Sequence, residues 1–209
     1  TGGTTKLDDE LAKTIQHESL GNKKTIDSNG KKSHIEYVKL DQLKVGNIPY
    51  YSIVANVSDI EIFKTISCVD ISGILGSNVM NKSIWQIDYT NQKIIITDSR
   101  DSLNLTGTEN KIDFLAVGKG VPIIDLHIND VYVGEAALDT GFNGDFILDT
   151  SLLPSNSKFI EKESYSYGAF TSIQQTTKIA IIPHLRLGKL FKKESVVANF
   201  RENEPFSLI

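Results

Sequence analysis

The chain has 209 residues, 40% of them hydrophobic and 23% charged, and a formal charge of −4 at pH 7 with its histidines neutral. Such a chain can build one medium domain or two lobes of about a hundred residues, each with its own core. The lysines are spread along it, which argues against nucleic acid as a partner, and no apolar run is long enough to form an integral membrane segment.

In chain order, Thr4 and Thr5 stand before Lys6–Ile15, where Leu7, Leu11 and Ile15 share a helical face and Asp8, Asp9 and Glu10 load the first turns. This pattern predicts a short capped helix. Lys23–Leu40 reads as a hairpin turning at Asp27-Ser28-Asn29-Gly30, and strands follow at Leu43–Val45 and Tyr51–Val57. After Ile71–Gly76 a short helix is expected through Ser77–Asn81. A hairpin then pairs Ile84–Tyr89 with Lys93–Thr97, and Trp85 in its first strand is assigned to the core. Asp98–Asn110 is polar and reads as a linker.

The second half opens with strands at Ile112–Val117, Val121–Ile128 and Val131–Leu138. The third delivers Asp139 from an apolar layer, with Leu138 expected to be buried, into the turn Thr140-Gly141-Phe142-Asn143-Gly144. Glycines there let the backbone curl and aim amide groups at the carboxylate, as general acid/base chemistry requires. The competing reading is an Asx-turn residue at a strand end. Asp149–Leu153 reads as a short helical turn closed by Pro154, Ser164–Phe170 as an aromatic hairpin tip, and strands at Ile179–Ile182, Leu185–Leu187 and Val196–Phe200 complete the chain.

Two blocks recur in the same order. Leu43-Lys44-Val45-Gly46 matches Leu185-Arg186-Leu187-Gly188, and Ser52-Ile53-Val54-Ala55-Asn56 matches Ser195-Val196-Val197-Ala198-Asn199, the two alignments differing by one residue in register. Such order argues for a duplicated unit. Extended backwards, the alignment sets Thr1-Gly2-Gly3 against Thr140-Gly141-Phe142, so the counterpart of Asp139 falls just before Thr1. Extended forwards, it sets Gly73-Ile74-Leu75 against Ser207-Leu208-Ile209. Thr1-Gly2-Gly3, without a Met, reads as the start of a mature or trimmed piece.

The string Ala137-Leu138-Asp139-Thr140-Gly141 resembles the active-site motif of aspartic proteases, and its extension through Phe142-Asn143-Gly144 resembles a variant in bacterial retropepsin-like proteins. Phe142 stands where that family usually has Ala, Ser or Thr. Ile74-Leu75-Gly76 is similar to the hydrophobic-hydrophobic-Gly strand that lies beside each catalytic loop in that fold, and the hairpin Ile84–Ile96 to its closing hairpin.

The resemblance implies a mostly β protein of two similar acid-protease-like β-barrel lobes related by a pseudo-twofold, with a few short helices. Residues 1–98 would form an N-terminal lobe lacking its first strand and Asp, 99–111 a linker, and 112–209 a C-terminal lobe with its end truncated. It implies an aspartic endopeptidase that uses a pair of aspartates, Asp139 and one just before Thr1, with Thr140, Gly141, Thr1 and Gly2 completing the catalytic loops. A peptide or protein substrate would lie between the lobes under a flap. Asn143, Tyr165, Tyr167, Gly168 and Phe170 are its candidate contacts, and Asp27–Gly30 would form the counterpart flap. A two-lobed monomer is expected. The alternatives are a homodimer in which each chain supplies Asp139, and a non-catalytic peptide-binding or scaffold protein of the same fold. No cofactor or metal is implied, and export from the cytoplasm is the family's expectation.

Other signals carry less. His17, His34, His127 and His184 lack ligand spacing, and Gly118-Lys119-Gly120 lacks the flanks of a phosphate loop. Cys68, the single cysteine, excludes an internal disulfide and reads as a structural thiol; Asn56, Asn81 and Asn104 open short glycosylation-type sequons.

Overall fold

The computed structural model describes residues 3–27, 29–103, 105, 111–118, 120–142, 146–168, 171–189, 191–202 and 207–208. The protein is mostly β, with 56% strand and 12% helix. It divides into two compact units, Gly3–Asn104 with Tyr167–Ile173, and Leu105–Ser166 with Gln174–Ile209. One break lies between residues 104 and 105, just after a 3-10 turn at Arg100–Ser102, and the segment Tyr167–Ile173 joins unit 1 although it follows much of unit 2 in the chain.

Unit 1 contains β1 (Thr5–Leu7), α1 (Asp9–Thr14), β2 (Glu18–Ile26), β3 (Lys32–Val45), β4 (Ile48–Val57), α2 (Glu61–Ser67), β5 (Gly73–Ile74), α3 (Ser77–Met80), β6 (Ile84–Asp88) and β7 (Lys93–Thr97). Its main sheet has the order β2-β3-β4-β1-β5, and β6 and β7 pair separately. The helix expected to be capped by Thr4 and Thr5 starts later. Thr5–Leu7 instead forms β1, parallel to β4 and antiparallel to β5, because a central strand with neighbours on both sides gains ladder bonds that a first helical turn lacks. Helix α2 has no forerunner in the sequence reading. Asp59 Oδ1 accepts from the Glu61 N–H at 2.8 Å at its start, and exposed Cys68 ends it in a left-handed conformation at φ 53°.

Unit 2 is built on β8 (Leu115–Val117), β9 (Val121–Ile128), β10 (Val131–Ala137), β11 (Ile147–Asp149), β12 (Phe159–Tyr167), β13 (Ser172–Leu187), β14 (Phe191–Arg201) and β15 (Ser207–Leu208). The order is β12-β13-β14-β11-β15-β10-β9-β8, and β9 also meets β13 at Leu185–Leu187. The sheets are mixed and no closed barrel is detected, which corrects the expected β-barrels: among the described residues β2 and the two-residue β5 are unjoined edges of one sheet, and in the other β8 and β12 are free edges while the short β9–β13 pairing bends the sheet back on itself.

The duplication extends to individual ladder partners. Tyr37–Asn56, Val38–Ala55, Leu40–Ile53 and Val45–Ile48 in β3 and β4 have counterparts in Ile179–Asn199, Ala180–Ala198, Ile182–Val196 and Leu187–Phe191 in β13 and β14. The second hairpin turn is one residue longer, which explains the shift of register in the sequence repeat. In both hairpins the ladder skips one pair, and the serine there is left-handed, Ser52 at φ 53° and Ser195 at φ 54°. The cores match as well: Leu7, Val38, Leu40, Ile53 and Ala55 are buried in unit 1, as are Leu148, Ala180, Ile182, Val196 and Ala198 in unit 2. Trp85 packs against the first core and is only partly buried.

Asp8 precedes α1 and is 7% exposed; its carboxylate takes the Lys64 ammonium at 2.5 Å. That hydrogen bond raises the Lys64 pKa above its ordinary value, with burial opposing it. The pair's contribution is therefore complete below the unfolded lysine value of about 10.5 and is lost as pH rises through the higher folded value. Thermal unfolding of the wild type and of Lys64→Met, compared between about pH 9 and pH 12, should show a difference that shrinks at the alkaline end.

Candidate functional site

Asp139 lies in the loop that joins β10 to β11 and is partly buried. Its Oδ1 accepts from the Gly141 N–H at 2.9 Å, and its carbonyl accepts from the Phe142 N–H at 3.0 Å. Locally this is an Asx turn on a β-turn, which fixes the direction of the carboxylate. Leu138, expected inside, is 40% exposed. The ladder ends at Ala137, so the alternation that buries Ala136 lapses one residue before it would turn Leu138 inward.

The loop is set apart from an ordinary turn by the strand beneath it. Leu208 of β15 has Ala137 as its parallel neighbour on one side and Ile147 as its antiparallel neighbour on the other. β15 therefore lies between β10, which ends two residues before Asp139, and β11, which follows the loop. In unit 1, β5 sits against β1 in the same way, Ile74 opposite Lys6, and β1 runs beside β4 as β11 runs beside β14. The two units therefore share the arrangement of β5, β1 and β4 with that of β15, β11 and β14.

Sequence reasoning identified Gly76 as part of a motif but missed what it holds. The Gly76 N–H donates to Thr5 Oγ1 at 3.1 Å, and the Thr5 hydroxyl and backbone N–H both donate to Asn78 Oδ1 at 2.9 Å. The backbone N–H and hydroxyl of Ser77 both donate to the Gly3 carbonyl, at 3.0 and 3.1 Å, and Asn78 Nδ2 donates to the Val54 carbonyl at 2.8 Å. The start of α3 thus ties down residues 3–5, which lead into β1. The usable signal was the run Gly76-Ser77-Asn78, small and polar directly after an apolar strand.

Of the other predicted residues, Thr140 and Gly141 are exposed in the turn with Asp139. Thr1, Gly2, Asn143 and Phe170 lie outside the described residues. Tyr165 and Tyr167 are on β12, 56% and 44% exposed. Gly168 is buried within unit 1 against the carboxylate of Asp27, itself 8% exposed. Asp27 Oδ1 accepts from the backbone N–H groups of Asn29 and Lys31 at 3.0 and 2.8 Å, and Oδ2 accepts from the Thr171 hydroxyl at 2.8 Å. Asn29 Nδ2 reaches Thr171 Oγ1 at 3.1 Å. The two turns read as flap candidates are thus fastened to each other by a buried carboxylate.

A Cβ on Gly168 would come within 2.3 Å of Asp27 Oδ2 and 2.7 Å of its Cγ. Gly168→Ala should displace a carboxylate that three donors hold. The expected result is faster amide exchange at Gly168, whose N–H donates to the Thr171 carbonyl, and at Asn29 and Lys31, with a loss of about 1–2 kcal/mol. Unchanged exchange at all three amides would remove the fastening.

Burial pushes the Lys6 ammonium below its usual pKa, with the negative charge of Asp27 opposing the shift. Among the described residues no group of three or more His, Cys, Asp or Glu side chains is placed to hold a metal ion. Comparison of the chain with protein-family models, with curated proteins and with solved structures gives no match.

Proposed function

We propose that this protein is an aspartic endopeptidase and that Asp139 is one of two carboxylates that share a proton and activate a water against a peptide bond. The observation that carries the reading is the Asp139 loop itself. An oriented carboxylate stands just beyond β10, in the loop whose flanking strands β10 and β11 enclose the short strand β15, and the pairing on the leaving side of the loop, a short antiparallel strand beside the strand that follows, recurs in unit 1 as β5 against β1. The repeat puts the counterpart of Asp139 one residue ahead of Thr1, and an aspartate at that position is the second carboxylate of this proposal.

The pair is needed because the two halves of the reaction ask for opposite protonation states. One carboxylate takes a proton from water while the other gives one to the carbonyl oxygen. Two carboxylates close together cannot both ionise, so one proton is retained and the pair titrates as a unit. Thr140 and Gly141 shape one loop, and Thr1 and Gly2 would shape the other. Neither a metal nor an organic cofactor enters the reaction.

The test is cleavage of a mixed peptide library, from acidic to neutral pH, by the natural protein including any residues that precede Thr1 and follow Ile209, beside its Asp139→Asn variant. Cleavage by the wild type that the variant lacks supports the proposal. A second reading, a peptide-binding protein without catalysis, draws on Phe142 and Gly3, which leave no hydroxyl where the family usually has one. Peptide retention with no cleavage at any pH would select it. Activity that rises with the square of protein concentration would instead assign the pair to Asp139 from two chains.

A further inference from the structure

We propose that the free edge of β7 is a docking surface for β7 of a second copy of this chain, the two hairpins joining into one four-stranded sheet across a twofold axis. β6 and β7 pair with each other and, among the described residues, with no other strand. The outer edge of β7 therefore offers backbone N–H and C=O groups to a further strand. A two-stranded hairpin is at best marginally stable alone; of this one, Trp85 packs against the core of unit 1, while Ile94 is 59% exposed. This inference is independent of the peptidase reading.

The side chains along the edge select the partner. β7 reads Lys93-Ile94-Ile95-Ile96-Thr97, and antiparallel pairing sets directly opposed side chains on one face. Turned on itself about Ile95, the strand places Ile94 opposite Ile96 of the second copy, Ile95 opposite Ile95, and Lys93 opposite Thr97. Every isoleucine then meets an isoleucine, and no like charges face each other. Turned about Ile94 instead, the strand would oppose Lys93 to Ile95; turned about Ile96, it would oppose Ile94 to Asp98. The edge of β6 matches itself less well, since a turn about Gln86 sets Asp88 against Ile84.

The same register gives the exposed isoleucine a neighbour. Within one chain Ile87 lies opposite Ile94 and Trp85 opposite Ile96, and by alternation all four share a face. Across the axis Ile94 of each copy stands beside Ile96 of the other, so each row runs Ile87, Ile94, Ile96, Trp85 over four strands. The opposite face carries Gln86, Asp88, Lys93 and Thr97 with Ile84 and Ile95, a mixed composition suited to water. Two strands of five residues make a contact at the small end of protein interfaces, so the dimer forms only as concentration rises.

The test is sedimentation velocity of the full chain over about a hundredfold range of concentration, with Ile95→Lys and Ile95→Thr beside the wild type. Ile95 sits on the mixed face; lysine there sets two ammonium groups opposite one another at the axis, whereas threonine keeps a β-branched side chain. The wild type and Ile95→Thr should pass from monomer to dimer as concentration rises, and Ile95→Lys should stay monomeric. A mixture of isotope-labelled and unlabelled wild-type chains at the highest concentration should give intermolecular NOEs between the Ile94 and Ile96 methyl groups. That measurement needs no variant, so the inference remains testable if Ile95→Lys unfolds. It is overturned if the wild type is monomeric throughout, if Ile95→Lys dimerises like the wild type, or if the dimer gives no NOE between Ile94 and Ile96.

Discussion

Asp139→Asn should reduce peptide cleavage by about a thousandfold or more while leaving thermal unfolding close to that of the wild type. Both halves of that expectation come from the same geometry. The amide oxygen of Asn can accept the Gly141 N–H that Asp139 Oδ1 now accepts at 2.9 Å, so the turn has no reason to open. The substitution removes the capacity to take and return a proton, which is the function proposed for the carboxylate. A general acid or base commonly accounts for about 10²–10⁴ in rate, and a dyad that works as one unit loses nearly all of its effect when either member goes. Equal rates in wild type and variant would mean that Asp139 takes no part, and the peptidase proposal would fail with it.

The repeat was legible in the sequence because it is written in core positions. Val38, Leu40, Ile53 and Ala55 and their counterparts Ala180, Ile182, Val196 and Ala198 are all buried, and alternation along a strand allows little else at those places. The hairpins were legible for the same reason, although the breaks read at Asp41–Gln42 and at Pro183–His184 proved to be interruptions within the long strands β3 and β13. The three-residue strand β1 was not legible. Thr5–Leu7 has no period to detect, and the carboxylates that follow it suggested a helix beginning several residues early. Closure of the sheets was also beyond reach, since it depends on which edge strands find one another, and β5 is only two residues long. At the site, Asp139 and its glycine turn could be read directly. The fastening of residues 3–5 by Gly76, Ser77 and Asn78 could not, because its partners lie more than seventy residues apart in the chain.

Gly76→Ala tests that fastening and should be the most destabilising single methyl group in unit 1. The glycine is not required by its dihedral angles: at φ −95° and ψ 167° any residue is comfortable. It is required by contact. A Cβ built there would lie 2.3 Å from the Thr5 nitrogen, 2.4 Å from the Gly3 oxygen and 2.5 Å from the Thr4 carbonyl carbon. All three are backbone atoms, so no side chain can swing aside to make room. Either β1 moves off β4 and β5, or α3 moves away and gives up the hydrogen bonds from Gly76, Ser77 and Asn78 together. Overpacking of this kind costs about 3 kcal/mol or more, a large part of the roughly 5–15 kcal/mol that holds a domain together. For a unit of about a hundred residues that corresponds to a fall in unfolding temperature of about 12 °C or more. Gly3→Ala is the control, since a Cβ at Gly3 meets nothing within 4 Å and should change stability by no more than about 0.5 kcal/mol. Calorimetry on both variants should therefore show one transition moved and the other in place. A Gly76→Ala protein that unfolds with the wild type would mean that residues 3–5 do not rest on α3, and the matched arrangement on which the peptidase proposal draws would be lost from one of its two units.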